Sequence, residues 1–251
     1  MRTEKIKVLL NKRLSPEIWD AGMLLPEDMK ILVLAPHPDD FDAIGLTLRK
    51  FHNSGNDIYL SVISGAASGV EDSYMADFPE QSKTEIREEE QIASCLFFGL
   101  VRENICFLHL HEDVNGDPID DKKNFQVLSA NITKISPDII FLPHGNDTNQ
   151  GHVRTYKMCK EIVGELEKSV ILFLNRDPKT IEMRNDVYVV FGKKEADWKA
   201  ELLRHHKSQH QRNLNQRNHG FDDRILAVNN AIASELQDNY EYAEVFEIEE
   251  V

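Results

Sequence analysis

Cysteine is scarce: Cys95, Cys106 and Cys159 are the only three in 251 residues. They are too few and too widely spaced for a disulfide framework or a CxxC metal site, and they read as free thiols buried as small hydrophobes in a reducing compartment. No run of about 18 apolar residues occurs, and the amino terminus MRTEKIKVLLNKR lacks an apolar stretch of signal-peptide length. Both absences predict a cytoplasmic chain with no membrane partner. Positive charge is also short, since 29 Lys and Arg stand against 43 Asp and Glu for a formal net charge of −14. Such a field repels phosphate backbones and anionic lipid, so a general nucleic-acid binder is excluded, whereas a discrete cation site suits it. Neither G-x-G-x-x-G nor G-x-x-x-x-G-K-[ST] is present, because Gly65-Ala66-Ala67-Ser68-Gly69 lacks the third Gly and the Lys, and no G-x-S-x-G occurs. Nucleotide-dependent and serine-hydrolase readings lose their support.

What remains is an alternation of strand-like and helical patterns. Residues 1–29 are polar, broken by Pro16 and Pro26, and read as an irregular extension laid over the domain. Ile31-Leu32-Val33-Leu34-Ala35 is a short apolar run of the kind buried on both faces of a sheet, and it ends at Pro36-His37-Pro38-Asp39-Asp40. The next segment has helical apolar spacing at Ala43, Ile44, Leu46, Leu48 and Phe51. Ser82-x-x-Glu85 has capping-box spacing and opens a helix with Ile86, Ala93, Leu96, Phe97 and Leu100 on one side and Gly99 near its end. Further strand-like runs fall at 58–63, 105–110, 139–142, 170–174 and 187–191, and the tail from Trp198 reads as strand-poor. The expectation is one α/β domain over residues 1–251, a Rossmann-like, mostly parallel sheet with helices on both faces, whose ligands bind beyond the carboxyl ends of the strands.

Two clusters lie at such ends. His37-Pro38-Asp39-Asp40 reads either as a helix cap or as a metal site in which His37 and Asp40 are ligands and Asp39 stays free as a base. The segment from Pro143 to His152 reads either as a polar turn or as the rest of that site. The fold brings both to one crevice, where His37, Asp40 and His152 make a set of three ligands with a position left for water, as catalytic zinc sites have. A triad of two His and one carboxylate accepts zinc and other divalent metals.

On these residues the chain resembles the PIG-L/LmbE-type family of zinc-dependent N-acetylglucosamine deacetylases: an apolar strand, HPDD, a helix with a Gly, and much later a strand, Pro and a D-x-N-x-x-H segment. Arg87-x-x-Glu90 resembles the family's R-x-x-E element, and Asp113 falls where members have an Asp after the next strand. His206-Lys207-Ser208-Gln209 is similar to its H-x-S-Q segment, and Tyr242-Ala243-Glu244-Val245-Phe246 to its Y-A-E-x-F, so the likeness spans residues 30–246. The resemblance implies an LmbE-like domain that removes acetyl from a small-molecule N-acetylated amino sugar or its conjugate. It implies zinc held by His37, Asp40 and His152, and a zinc-activated water deprotonated by Asp39. Arg87, beside Glu88-Glu89-Glu90, reads either as part of a solvated charged face with helical ion pairs or as a contact to sugar hydroxyls, and Asp113 is a candidate for the same contact.

The chain departs from the family at three places. Phe41 and Asp42 stand where many members carry Glu, and Gly151 replaces a common Asp beside the metal His. Asn149 stands where several relatives have a carbonyl-polarising His, so that role falls to Asn149, to His144 or to the metal. His206 and the arginine-bearing stretch from Arg212 to Arg224 read either as ordinary surface and core residues or as parts of the site, the latter as a substrate-side flap. The competing reading is a catalytically idle relative that binds sugar or metal as a recognition module; a homo-oligomer is compatible with both.

Overall fold

The computed structural model describes residues 16–20, 23–78 and 82–251. Its strands are β1 (Glu17–Trp19), β2 (Lys30–Ala35), β3 (Asp57–Val62), β4 (Ile105–Phe107), β5 (Ile139–Pro143), β6 (Ile171–Asn175), β7 (Val187–Phe191) and β8 (Tyr242–Glu250). The helices are α1 (Asp40–Ala43), α2 (Gly45–Asn53), α3 (Asp72–Met75), α4 (Lys83–Phe98), α5 (Lys122–Ile135), α6 (Gln150–Gly164), α7 (Lys193–Arg204), α8 (Lys207–Arg217) and α9 (Phe221–Ala233). The strands form one sheet in the order β1-β7-β8-β6-β5-β2-β3-β4, parallel except where β8 runs antiparallel to both neighbours.

Alternation along the central strands explains the two-sided core. Ile31, Val33, Phe141 and Phe173 point to one face, against Phe51 and Phe98, while Leu32, Leu34, Leu142 and Leu174 point to the other, against Leu128, Ile132 and Met158. The sheet is thereby covered by helices on both sides, as the alternation of the sequence requires. The order of strands reverses at β2, which pairs in parallel with β3 on one side and β5 on the other, and this switch point opens a crevice at the carboxyl ends of β2 and β5.

Helix α4 starts as its capping box predicts, with the Ser82 hydroxyl accepting from the Glu85 amide and the Ser82 amide donating to the Glu85 carboxylate, and ends at Gly99 in a left-handed conformation, φ 104°. Its apolar side is carried by Ile86, Cys95 and Phe98, whereas Leu96 is exposed. Among the cysteines, Cys95 and Cys159 are buried as expected, but Cys106 is exposed.

Two expectations fail at the sheet's other end. The region read as an irregular extension contributes β1, whose Trp19 is fully buried and which pairs with β7; the rest of that extension, residues 1–15 and 21–22, lies outside the described residues. The tail read as strand-poor contributes the nine-residue β8. Its charge disguises it, because Glu244 and Glu247 are buried in the strand and neutralised from outside it. Lys199 donates to Glu244 at 2.6 Å and Arg184 to Glu247 at 2.7 Å. Glu244 also accepts from the amides of Leu46 and Thr47, which ties β8 to the first turn of α2. No helix of the described residues is long and apolar enough to cross a membrane.

Candidate metal centre

The turn after β2 is held in a conformation that its sequence alone would not adopt. Asp39 has φ 105°, a left-handed geometry costly for a side chain with Cβ, and it persists because its surroundings fix it. Its amide donates to Gln91 Oε1 at 2.9 Å, and the Arg87 guanidinium donates both to the Pro38 carbonyl and to Asp39 Oδ2, the latter at 3.1 Å. The sharp turn separates adjacent carboxylates. Asp40 Oδ2 accepts from the His37 amide at 2.8 Å and lies 3.4 Å from His37 Nδ1, whereas its Oδ1 lies 3.7 Å from His152 Nε2.

His152 arrives from the end of β5. The Asn149 side chain caps α6 by accepting from the Gly151 amide, which places His152 in the first turn. Asp147 Oδ2 lies 3.3 Å from His152 Nδ1, an arrangement that turns the ring so that Nε2 faces Asp40. The rings of His37 and His152 are 5.5 Å apart, and one donor atom from each of His37, Asp40 and His152 lies within 4.8 Å of the others. Asp147, His152 and Asp177 meet the same distance condition, but they share His152, whose Nδ1 is already turned to Asp147; both groupings therefore surround one imidazole.

The charges within this cluster are unbalanced. Burial alone would depress His37, but the facing carboxylates of Asp117 and Asp40 outweigh it and push the imidazole up to about 9. Burial likewise opposes ionisation of Asp40, yet the facing His152 and His37 bring it down to about 2. Asp39 is pushed above the usual carboxylate range by burial, against the pull of Arg87, and Asp177 is raised by burial against the pull of His152. Arg87 offsets part of the charge on Asp39, and imidazole offsets Asp40 and Asp117. A divalent cation among two imidazoles and a carboxylate supplies the same compensation, and the donor set suits zinc and related metals.

Several site residues take positions that the motifs do not reveal. Asp113 does not line the crevice; it accepts from Arg154 at 2.7 Å and from the amides of Asn115 and Asp117, so it shapes the loop. Asp117 is the acid of that loop that faces the site, 3.9 Å from His37 Nε2. It fits because residue 151 is glycine: a Cβ there would lie 2.9 Å from both Asp117 Oδ1 and His37 Nε2. Arg87 lines the crevice but is 2% exposed, with its guanidinium engaged by Pro38 and Asp39 instead of standing free for sugar hydroxyls. His144 is turned away, with its Nδ1 accepting from the Asn146 amide and its Nε2 3.3 Å from Glu247, and it is not among the lining residues. Asn149 is among them. His206 lies beneath the site, fully buried, bonded at 2.7 Å to Asp42, which Gln91 and Ser94 also contact.

Sequence reasoning missed Asp117, Asp147 and Asp177. Asp177 follows the end of β6 by two residues, and the rule that pointed to His37 and His152 would have found it. Asp117 carries no such signal, since only the fold of its loop brings it to His37.

The PIG-L family profile, described as GlcNAc-PI de-N-acetylase, matches residues 32–163. Among solved structures, N,N'-diacetylchitobiose deacetylase from Pyrococcus horikoshii, complexed with its inhibitor, has a TM-score of 0.71 at 18% identity, covering 88% of this chain and 84% of that one. A zinc-inhibited form of teicoplanin deacetylase has a TM-score of 0.64 at 13% identity, with 88% and 98% covered. A conserved protein from Thermus thermophilus has a TM-score of 0.59 at 18% identity, with 87% and 93% covered. At these identities the likeness establishes a common fold. No curated protein matches the sequence.

Proposed function

This chain belongs to the PIG-L family, and from that premise we propose that it is a metal-dependent hydrolase removing the N-acetyl group from a small-molecule N-acetylglucosamine conjugate. The proposed unit is the whole chain as one LmbE-like domain acting in the cytoplasm. The observation that carries the reading is the Asp39 carboxylate, held on a strained turn beside the three ligand candidates without being one of them.

His37, Asp40 and His152 would hold the cation, for which zinc is proposed, and when bound it supplies Lewis acidity and lowers the pKa of a water to about 7. Asp39 is the proton acceptor for the attacking water. Arg87 engages its Oδ2, which leaves Oδ1 as the atom that takes the proton. The same carboxyl then returns that proton to the sugar nitrogen as the C–N bond breaks, giving acetate and a free amine. Burial, which favours the protonated form of Asp39, supports the second half of this transfer. Asn149 spends its Oδ1 on the helix cap, so its Nδ2 is the side-chain donor for the acetamide carbonyl.

The test is acetate release from a panel of N-acetylglucosamine conjugates, with and without chelator. Release that stops with chelator, and stops in Asp39→Asn while metal content persists, supports the proposal. Metal binding without cleavage of any amide would favour the recognition-module reading. Loss of metal in Asp39→Asn would show that the two neighbouring aspartates have the opposite roles.

A further inference from the structure

The crevice has a second, oppositely charged side. Arg212 on α8 and Arg224 on α9 line it, together with Lys179 from the loop after β6. In a chain with a net charge of −14, three cationic side chains gathered at one crevice are a departure from the overall field.

Their neighbours leave them unneutralised. Asp222, two residues before Arg224, is taken by Arg204 at 2.6 Å and faces His210 at 3.2 Å. Asp223 accepts from the Gly220 amide at the helix start. Arg212 makes one long contact, 3.4 Å, to the Gly69 carbonyl. Arg224 is half-buried, and among the described residues no hydrogen bond or ion pair engages its guanidinium. Its surroundings are unfavourable to its charge: burial comes first, then Arg217, with Arg212 adding to it, against the opposing pull of Asp177 and Asp39. A guanidinium withdrawn from water and crowded by like charge, yet directed at a cavity, is arranged for an anion that arrives with the ligand.

We propose that the crevice holds a subsite for an anionic group, a carboxylate or a phosphate, on the part of the sugar substrate that does not react, received by Arg224 with Arg212 and Lys179 beside it. This rests on the deacetylase reading for the rest of the ligand, and it narrows the substrate class to acidic conjugates of N-acetylated amino sugars. The planar fork of Arg224 suits either anion, since both present two oxygens side by side.

The experiment measures equilibrium binding by calorimetry for three ligands of similar size: methyl N-acetylglucosaminide, carboxymethyl N-acetylglucosaminide and N-acetylglucosamine 1-phosphate. At low salt at least one charged ligand is expected to bind about 10- to 100-fold more tightly than the neutral one. That ratio should shrink about tenfold in Arg224→Ala, less in Arg224→Lys, and also on raising the salt. The stronger of the two charged ligands identifies the anion. Equal affinity for all three, or a ratio unchanged in a folded Arg224→Ala variant with wild-type Tm, overturns the subsite. Acetate release is assayed on the same ligands. Charge-selective binding with no release from any of them would leave the subsite standing and overturn the deacetylase reading instead.

Discussion

Asp40 and Asp42 lie two residues apart on the short helix α1, and each faces an imidazole, but only one of them has room for anything else. Asp42 is fully buried and saturated: His206 approaches to 2.7 Å, Gln91 to 3.0 Å, and Ser94 donates as well. Asp40 is 12% exposed and meets its two imidazoles at 3.4 and 3.7 Å, distances too long for tight hydrogen bonds between them. Donors that surround a common point without closing on one another leave space for an ion, whereas donors that bond directly hold the fold together. The same pair of residue types serves both ends, and spacing separates them.

The comparison breaks most sharply at the open side. Asp39→Asn should reduce acetate release by about 10²- to 10⁴-fold with metal content intact, as expected for loss of a general base. Asp40→Ala should instead abolish metal retention after dialysis, as read by elemental analysis. On the saturated side, Asp42→Ala leaves His206 buried without its partner and should cost about 3–5 kcal/mol of stability, seen as a lowered Tm, while metal binding survives below that temperature. If Asp42→Ala kept its Tm but lost its metal, the distinction between the two acids would be wrong.

Proton linkage sharpens the contrast. His37 in the metal-free protein titrates at about 9, above its ordinary 6.5, so its contribution to stability is fully present below about pH 6.5 and is lost as pH rises through about 9. That contribution is on the order of 3 kcal/mol, measurable by denaturant unfolding across this range. Metal requires neutral imidazole, so its uptake should release protons below about pH 9 and its affinity should rise with pH over the same window, as calorimetry in buffers of different ionisation enthalpy would read. The smallest effect is expected from Gly151→Ala, whose methyl would meet Asp117 and His37 at 2.9 Å. Metal affinity should fall about tenfold with little change in Tm.

Much of the site was legible because its residues follow buried strands. The apolar runs before His37 and Pro143 mark strands with both faces covered, and parallel strands deliver their carboxyl ends to one side of the sheet. Strand β8 was hidden for the opposite reason. Glutamates at 244 and 247 look like solvent-facing residues until Lys199 and Arg184 are seen against them. A charged residue in a motif, such as Arg87, leaves its partner open, and the fold gives its guanidinium Pro38 and Asp39. The polar atoms of Asp113 and His144 are likewise engaged, by Arg154 and by Asn146 and Glu247, partners that the motifs do not show.

Periodicity and strand-end motifs, which depend only on neighbours along the chain, were enough to specify an α/β sheet and to nominate His37, Asp39, Asp40 and His152. Which acids join them, which arginine is spent and which remains unpartnered, and which of two aspartates on one helix stays open are set by distances between segments far apart in sequence. Hydrogen bonds and ion pairs act over a few ångströms, so partners separated by 48 positions, as Arg87 and Asp39 are, become partners only when folding has placed them together.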